Sequence, residues 1–311
     1  HGYSVLGQLY GRIKLFEDNI INLYRYEYNT PFIGKNDSRM TPNTFEGYTL
    51  QGAYGGKDGA PGFRYGAGYI TKIKERNSDD FVWMSRDAGA DVKRGVGVAG
   101  GLFTYGKFSL GAINYYSNDI INIFYTESKY TLPITKDLGA ALAFQFADQR
   151  STGDDLLKGR SFTTNQLGVK GDLSYGGAVF TLGYTNTLRR DDMQNPWSGY
   201  PGYTSVQVQD FNRAEEQAVI TKLSYDFSRL GLEGVSSYVL FVHGSGRVDP
   251  STGRGVPNEN EFNFDLQWRP KWKFIEGFSF RYRYSHVHQY QGPKNNQDDF
   301  RVIINYDFPL M

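Results

Sequence analysis

Five basic residues near the C-terminal end recur at alternate positions: Arg269 and Lys271, then Arg281 and Arg283, and finally Arg301. In an extended strand residues i and i+2 share a face, so each pair projects to one side. A column of such cations in a narrow, partly dry passage attracts anions and hands them between neighbouring sites. Arg keeps its charge and can grip a carboxylate through two parallel hydrogen bonds. Asp265 and Asp307 lie close in sequence, so local neutralisation is the competing expectation. Arg12, Lys14, Arg64 and Lys72 would continue the column if they face the same way.

Other chemistry is thinner. His286 and His288 share a strand face and could form half of a metal site, but no third ligand accompanies them. Ser285, His286 and Asp298 contain the atoms of a hydrolytic triad without a nucleophile-elbow context. The run Gly95-Val96-Gly97-Val98-Ala99-Gly100-Gly101 lacks the Lys-Ser/Thr and helix of a phosphate loop. It reads as a strand of small residues where another segment approaches closely. No catalytic residue, cofactor or metal is expected.

The elements that position these residues follow from composition and pattern. The 311 residues have a mean hydropathy of −0.52, yet 24 are Tyr and 22 Phe. An aromatic-rich chain that is polar on average is what a lipid-facing band around a wet interior produces. The net charge of +1 gives no basic field for nucleic acid, and Cys is absent. No stretch approaches the length of a membrane helix, so a membrane protein with this sequence must be a barrel.

Period-two alternation runs through the chain. Phe278, Phe280, Tyr282 and Tyr284 alternate with Ser279, Arg281, Arg283 and Ser285. Phe262, Phe264, Leu266 and Trp268 do the same with Asn263, Asp265, Gln267 and Arg269, and Val302, Ile304 and Tyr306 with Arg301, Ile303 and Asn305. Similar segments recur from Val5 onward and give about fifteen antiparallel strands in one all-β domain over residues 1–311. Short connections alternate with long polar ones, among them Asn29–Gly47, Glu75–Arg94, Arg189–Gln217 and Ser245–Glu261, with Ser117–Asp119 the exception. That is the rhythm of periplasmic turns and extracellular loops in a transmembrane barrel. Trp268, Trp272, Tyr282 and Tyr306 fit its interfacial girdles. Bacterial barrels have an even strand count with both termini periplasmic, so an odd number of strands is expected before His1. Three would bring the barrel to about eighteen strands, wide enough for an aqueous channel.

Three segments resemble one family, the OprD-type outer-membrane porins. They are Gly34-Lys35-Asn36-Asp37-Ser38-Arg39-Met40-Thr41-Pro42-Asn43-Thr44-Phe45-Glu46-Gly47, then Asp79-Asp80-Phe81-Val82-Trp83-Met84-Ser85 with Ala88-Gly89-Ala90, and the closing strands Gly277–Tyr284 and Phe300–Tyr306. The resemblance spans nearly the whole chain and starts some three strands into the family's barrel. It implies an eighteen-stranded, substrate-selective porin, narrowed by inward-folded loops, with a basic ladder guiding small carboxylates.

The resemblance implies that the loop Asn29–Gly47 folds inward as the constriction, whereas its residues alone also fit an exposed surface loop. Pro31 and Pro42 stiffen it, and Asp37, Ser38 and Arg39 present opposed charges able to orient a solute. Phe81, Trp83 and Met84 are costly to expose, so their segment is expected to pack into something. The reading is a bacterial outer-membrane porin passing small polar solutes, the carboxylates that the resemblance implies, with membrane lipid around it and room for a homo-oligomer. A barrel enzyme of phospholipase or protease type, or an adhesion barrel, is the alternative.

Overall fold

The computed structural model of the protein describes residues 5–16, 18–36, 41–56, 59–188, 191–290 and 296–307. In chain order the strands are β1 (Leu9–Leu15), β2 (Asn19–Tyr26), β3 (Thr44–Gly55), β4 (Gly62–Lys74), β5 (Val82–Trp83), β6 (Val96–Tyr105), β7 (Phe108–Ser117) and β8 (Ile121–Pro133). They continue with β9 (Leu138–Arg150), β10 (Thr163–Tyr175), β11 (Ala178–Thr187), β12 (Gln217–Asp226), β13 (Val235–Ser245), β14 (Glu259–Trp268), β15 (Phe278–Gln289) and β16 (Gln297–Tyr306). The only helical turns among the described residues are α1 (Met84–Asp87) and a 3₁₀ turn at Phe227–Leu230.

All sixteen strands belong to one sheet in which sequence neighbours pair, with β4 passing to β6 and the two-residue β5 lying against β4 alone. The fifteen strands read from alternation are therefore all present, and β5 is the one the pattern missed. β3 starts at Thr44, so the expected loop Asn29–Gly47 gives up its last residues to a strand. By packing, the chain divides into two compact units. One comprises His1–Lys129, Gln145–Gln166 and Asp191–Pro201; the other comprises Tyr130–Phe144, Leu167–Arg190 and Gly202–Met311.

Each unit shows the same division of labour between the two faces of its strands. In the second unit, Val239, Phe241, Leu266, Tyr282, Val302 and Ile304 are exposed on one face. The opposite face carries Lys222, Tyr238, Asn263, Asp265, Arg283 and Arg301. Water-exposed apolar faces of that extent are costly, and they belong in a hydrocarbon environment. Aromatic rings cluster where this face meets the short turns: Trp268 lies 5.5 Å from Trp272 and 5.4 Å from Phe280, and Phe278 lies 4.5 Å from Tyr306.

The short connections are built from turn chemistry. Tyr105 pairs with Phe108, leaving a two-residue loop in which Gly106 takes a φ of 56°, a left-handed conformation that suits a hairpin turn and favours glycine.

Candidate functional site

In the first unit the functional surface begins as a floor of small side chains. Gly66 and Gly68 of β4, Gly100 of β6 and Ala112 of β7 line one cleft of about 610 Å³. Because these residues occupy little room above the backbone, the connection between β2 and β3 can settle onto the strands. Tyr28, Thr30, Pro31 and Ile33 of that connection form the other wall. Phe32 and Ile33 are fully buried. The Phe32 ring stands 5.9 Å from Tyr115, 6.1 Å from Tyr125 and 6.0 Å from Tyr200. The Tyr115 hydroxyl accepts from Phe32 N at 3.2 Å and donates to Thr30 at 2.9 Å, so the buried polar atom that holds the loop is itself satisfied.

A second long segment, the start of the β11–β12 connection, braces the first. Ile33 bridges Trp197 and Ser198, and Gly34 N donates to Trp197 O at 3.1 Å. The backbones are so close that a Cβ on Gly34 would lie 2.7 Å from Ser198 O, and one on Gly199 would lie 2.7 Å from the Phe32 carbonyl carbon. Only glycine fits at either position. Trp197 is fully buried and donates from Nε1 to Met84 O at 3.0 Å. Asp191 fixes the start of the segment through Lys158 at 2.6 Å and Arg160 at 2.9 Å. Burial alone would push the Asp191 carboxyl up; hydrogen bonds from Arg160 and Lys158 outweigh it and hold it below the ordinary carboxylate range.

One charge cluster in this unit sits at a bulge. The β3–β4 register shifts between Glu46 and Gly47, and Tyr24 opposite has a φ of 81°. The irregularity brings three charged side chains together: Arg25 reaches Glu46 at 2.9 Å and Lys72 reaches it at 3.2 Å. Phe81 lies beneath the Arg25 guanidinium at 4.0 Å, Trp83 faces Lys72 at 6.0 Å, and Met84 is buried. The segment expected to pack into something thus packs onto this cluster and Trp197.

In the second unit, Lys170, Asp172, Thr181, Lys222, Tyr238, Asn263 and Arg283 from six strands line a cleft of about 390 Å³. Tyr203, Ser205, Val206 and Gln207 of the β11–β12 connection close its other side. Lys170 Nζ stands 4.5 Å from the centroid of Tyr203, and Lys222 Nζ stands 4.3 Å from that of Tyr238. Asp172 accepts from Thr181 at 2.6 Å. Three cations against one carboxylate give the lining a net positive charge. Both lysines are steadied by aromatic faces, which attract an ammonium without neutralising it.

A model of the "outer membrane porin, OprD family" matches residues 3–310. The chain belongs to the OprD family of outer membrane porins. Porin D of Pseudomonas aeruginosa is 21% identical over 304 residues, covering 90% of this chain and 67% of Porin D. Among solved structures, OccK9 (OpdG) of the same organism superposes with a TM-score of 0.83 at 18% identity, covering 96% of this chain and 75% of that one. OpdK, solved with vanillate, also superposes at 0.83 with 18% identity, covering 96% and 77%. The likeness to these structures establishes the fold, a β-barrel, and the family match places it in the bacterial outer membrane.

The structure places the expected site residues of this porin unevenly. Arg281, Arg283 and Arg301 lie on the polar face of β15 and β16, with Arg283 directly opposite Arg301. Arg281 and Arg283 share Asp265 at 2.8 and 3.1 Å, and Arg301 pairs with Asp299 at 2.8 Å. Arg269 and Lys271 lie beyond the end of β14, in the short turn, where Lys271 faces Glu233 at 3.6 Å. In sequence the alternation carries through Arg269, whereas the strand ends at Trp268. Arg12, Arg64 and Lys72 take the polar face: Arg12 donates to buried Asn22 at 3.2 Å and Arg64 lines the first cleft. Asp37, Ser38 and Arg39 lie outside the described residues.

Ser285 and His286 point to opposite faces. Ser285 donates to Glu261 at 2.8 Å while His286 pairs with Asp298 at 2.9 Å. The hydrolytic arrangement is thereby broken by the pleat, and no group of three metal-ligating side chains forms among the described residues. Two features escaped the sequence reading. Lys170 and Lys222 alternate against Leu167, Leu173, Val219 and Leu223 as clearly as the arginines do against their aromatics. Trp197, Tyr200, Tyr203 and Phe211 in the connection 188–216 carried the same signal of inward packing as Phe81 and Trp83.

Proposed function

We propose that this porin passes small carboxylate-bearing solutes along a basic wall formed by Lys170, Lys222, Arg281, Arg283 and Arg301, with the connections 27–43 and 188–216 narrowing the lumen of a single barrel domain. The observation that carries the reading is the lining of the second cleft, where Lys170, Lys222 and Arg283 face one carboxylate, Asp172. An anion entering such a space exchanges part of its hydration for ammonium and guanidinium donors. Its grip stays modest because Asp265 and Asp299 offset the arginines, and a channel must release what it binds. The vanillate in the OpdK structure, a small carboxylate on a related barrel, supports the same solute class. The exposed apolar face meets membrane lipid, and passage needs neither a cofactor nor a catalytic group.

Lys170→Ala combined with Lys222→Ala tests this. With vanillate as probe in a planar bilayer, the double variant should show shorter and rarer current interruptions than the parent. Interruptions of unchanged frequency and duration would remove the two lysines from the solute path.

A further inference from the structure

The segment Gln207–Gln209 of the β11–β12 connection has an anchor that the fold itself does not require. Glu261 of β14 is fully buried on the polar face. Its Oε1 accepts from Val208 N at 3.0 Å and its Oε2 from Gln209 N at 2.7 Å. The same carboxylate accepts from Ser285 Oγ at 2.8 Å and Asn263 Nδ2 at 2.6 Å. The strands thus supply two donors and the loop two. Around this centre Gln207 N donates to Asn263 at 3.3 Å, Gln207 Nε2 to Asp299 at 2.9 Å, and Arg301 to Gln207 O at 3.3 Å.

A loop tip ordinarily satisfies its backbone with water and moves freely. Here successive N–H groups close on one carboxylate, and hydrogen bonds to an ionised acceptor are about twice as strong as neutral ones. A carboxylate that had lost those donors within protein would be costly. On the polar face of a channel, water replaces them when the loop lifts, so the arrangement can open and close again without unfolding.

We propose that Glu261 is a positioning residue that latches the segment Gln207–Gln209 over the basic cleft and so sets the width of the solute path. The proposal rests on that loop lining the path. Conductance in potassium chloride alone tests the latch, whereas carboxylate block tests the solute reading, so the two can fail separately.

Glu261→Gln keeps the size of the side chain but sets an amide donor against one of the two loop N–H groups. Single-channel conductance should rise about twofold, as expected for a wider narrowest section, with heat-modifiable gel mobility retained. Gln209→Pro removes one of the N–H donors from the loop side and should act in the same direction without altering the strands. The chain has no Cys, so a Gln207→Cys, Asp299→Cys tether can be introduced cleanly. In the Glu261→Gln background its oxidation should lower conductance, and its reduction should raise it again. Parent-like conductance in Glu261→Gln, or a raised conductance that the oxidised tether fails to reverse, would overturn the proposal. Should Glu261→Gln not fold, an unchanged conductance in Gln209→Pro would do the same.

Discussion

Arg281 Nε donates to Asp265 Oδ2 at 2.8 Å across the β14–β15 pair, and Arg283 stands directly opposite Asp265 in the register. One carboxylate therefore moderates two of the arginines on the polar face. Asp265→Asn leaves the shape and removes the charge. At a separation of about 7 Å in watery surroundings a unit charge is worth about 0.6 kcal/mol, near a threefold change in ion occupancy. Reversal potentials under a salt gradient should shift toward anions by that order in Asp265→Asn. They should shift away from anions in the Arg281→Ala, Arg283→Ala double variant.

The seat of the β2–β3 connection can be weakened from a distance. Trp197 is fully buried between Tyr115, Met84 and Ile33, and its indole N–H is paired. Trp197→Ala opens a cavity and strands the Met84 carbonyl, a loss of about 3–5 kcal/mol. Because the contacts belong to loops, the expected consequence is a noisier open channel together with a lower midpoint for the heat-induced gel shift. Quiet currents with an unchanged midpoint would show that the β2–β3 connection does not depend on this brace.

Glu216 supplies a pH dependence. It lies just before β12, buried, with Oε1 unpaired, and burial pushes its carboxyl up to about 7 against the opposing pull of the Arg213 backbone N–H and Arg247. A raised folded-state value means that the neutral form is favoured in the native protein. Its contribution to stability is full below the ordinary Glu value near 4.5 and is lost as pH rises through about 7. The thermal midpoint in detergent should therefore fall between pH 5 and pH 8. Glu216→Gln should flatten that slope and raise the midpoint at pH 8, with an upper bound of about 3 kcal/mol. A parent-like slope in Glu216→Gln would assign the dependence to other groups.

Much of this architecture was legible because a barrel strand writes its two environments into alternate residues. Phe262, Phe264 and Leu266 against Asn263 and Asp265 needed no structure to be sorted into two faces, and β11 could be bounded at Ala178 and Thr187 from the pattern alone. The signal fades at strand ends, where the pleat stops but the sequence keeps alternating. Arg269 and Lys271 continue the alternation of the basic column in sequence for that reason, although Trp268 ends β14. Loops carry no period at all. The closeness of Gly34 to Ser198, and of Glu261 to Val208, joins residues far apart in sequence and depends on conformations that local composition does not fix. Aromatic density in a polar loop is the one readable trace of such packing, present at Phe81 and Trp83 and equally at Trp197 and Tyr203.

Single-channel current through the protein in a planar bilayer, recorded with and without a small carboxylate such as vanillate, tests the central claim most directly. A small conductance interrupted by the carboxylate in a concentration-dependent way is the predicted result. A large conductance indifferent to carboxylates would contradict the selective, basic-walled passage and leave a general diffusion pore.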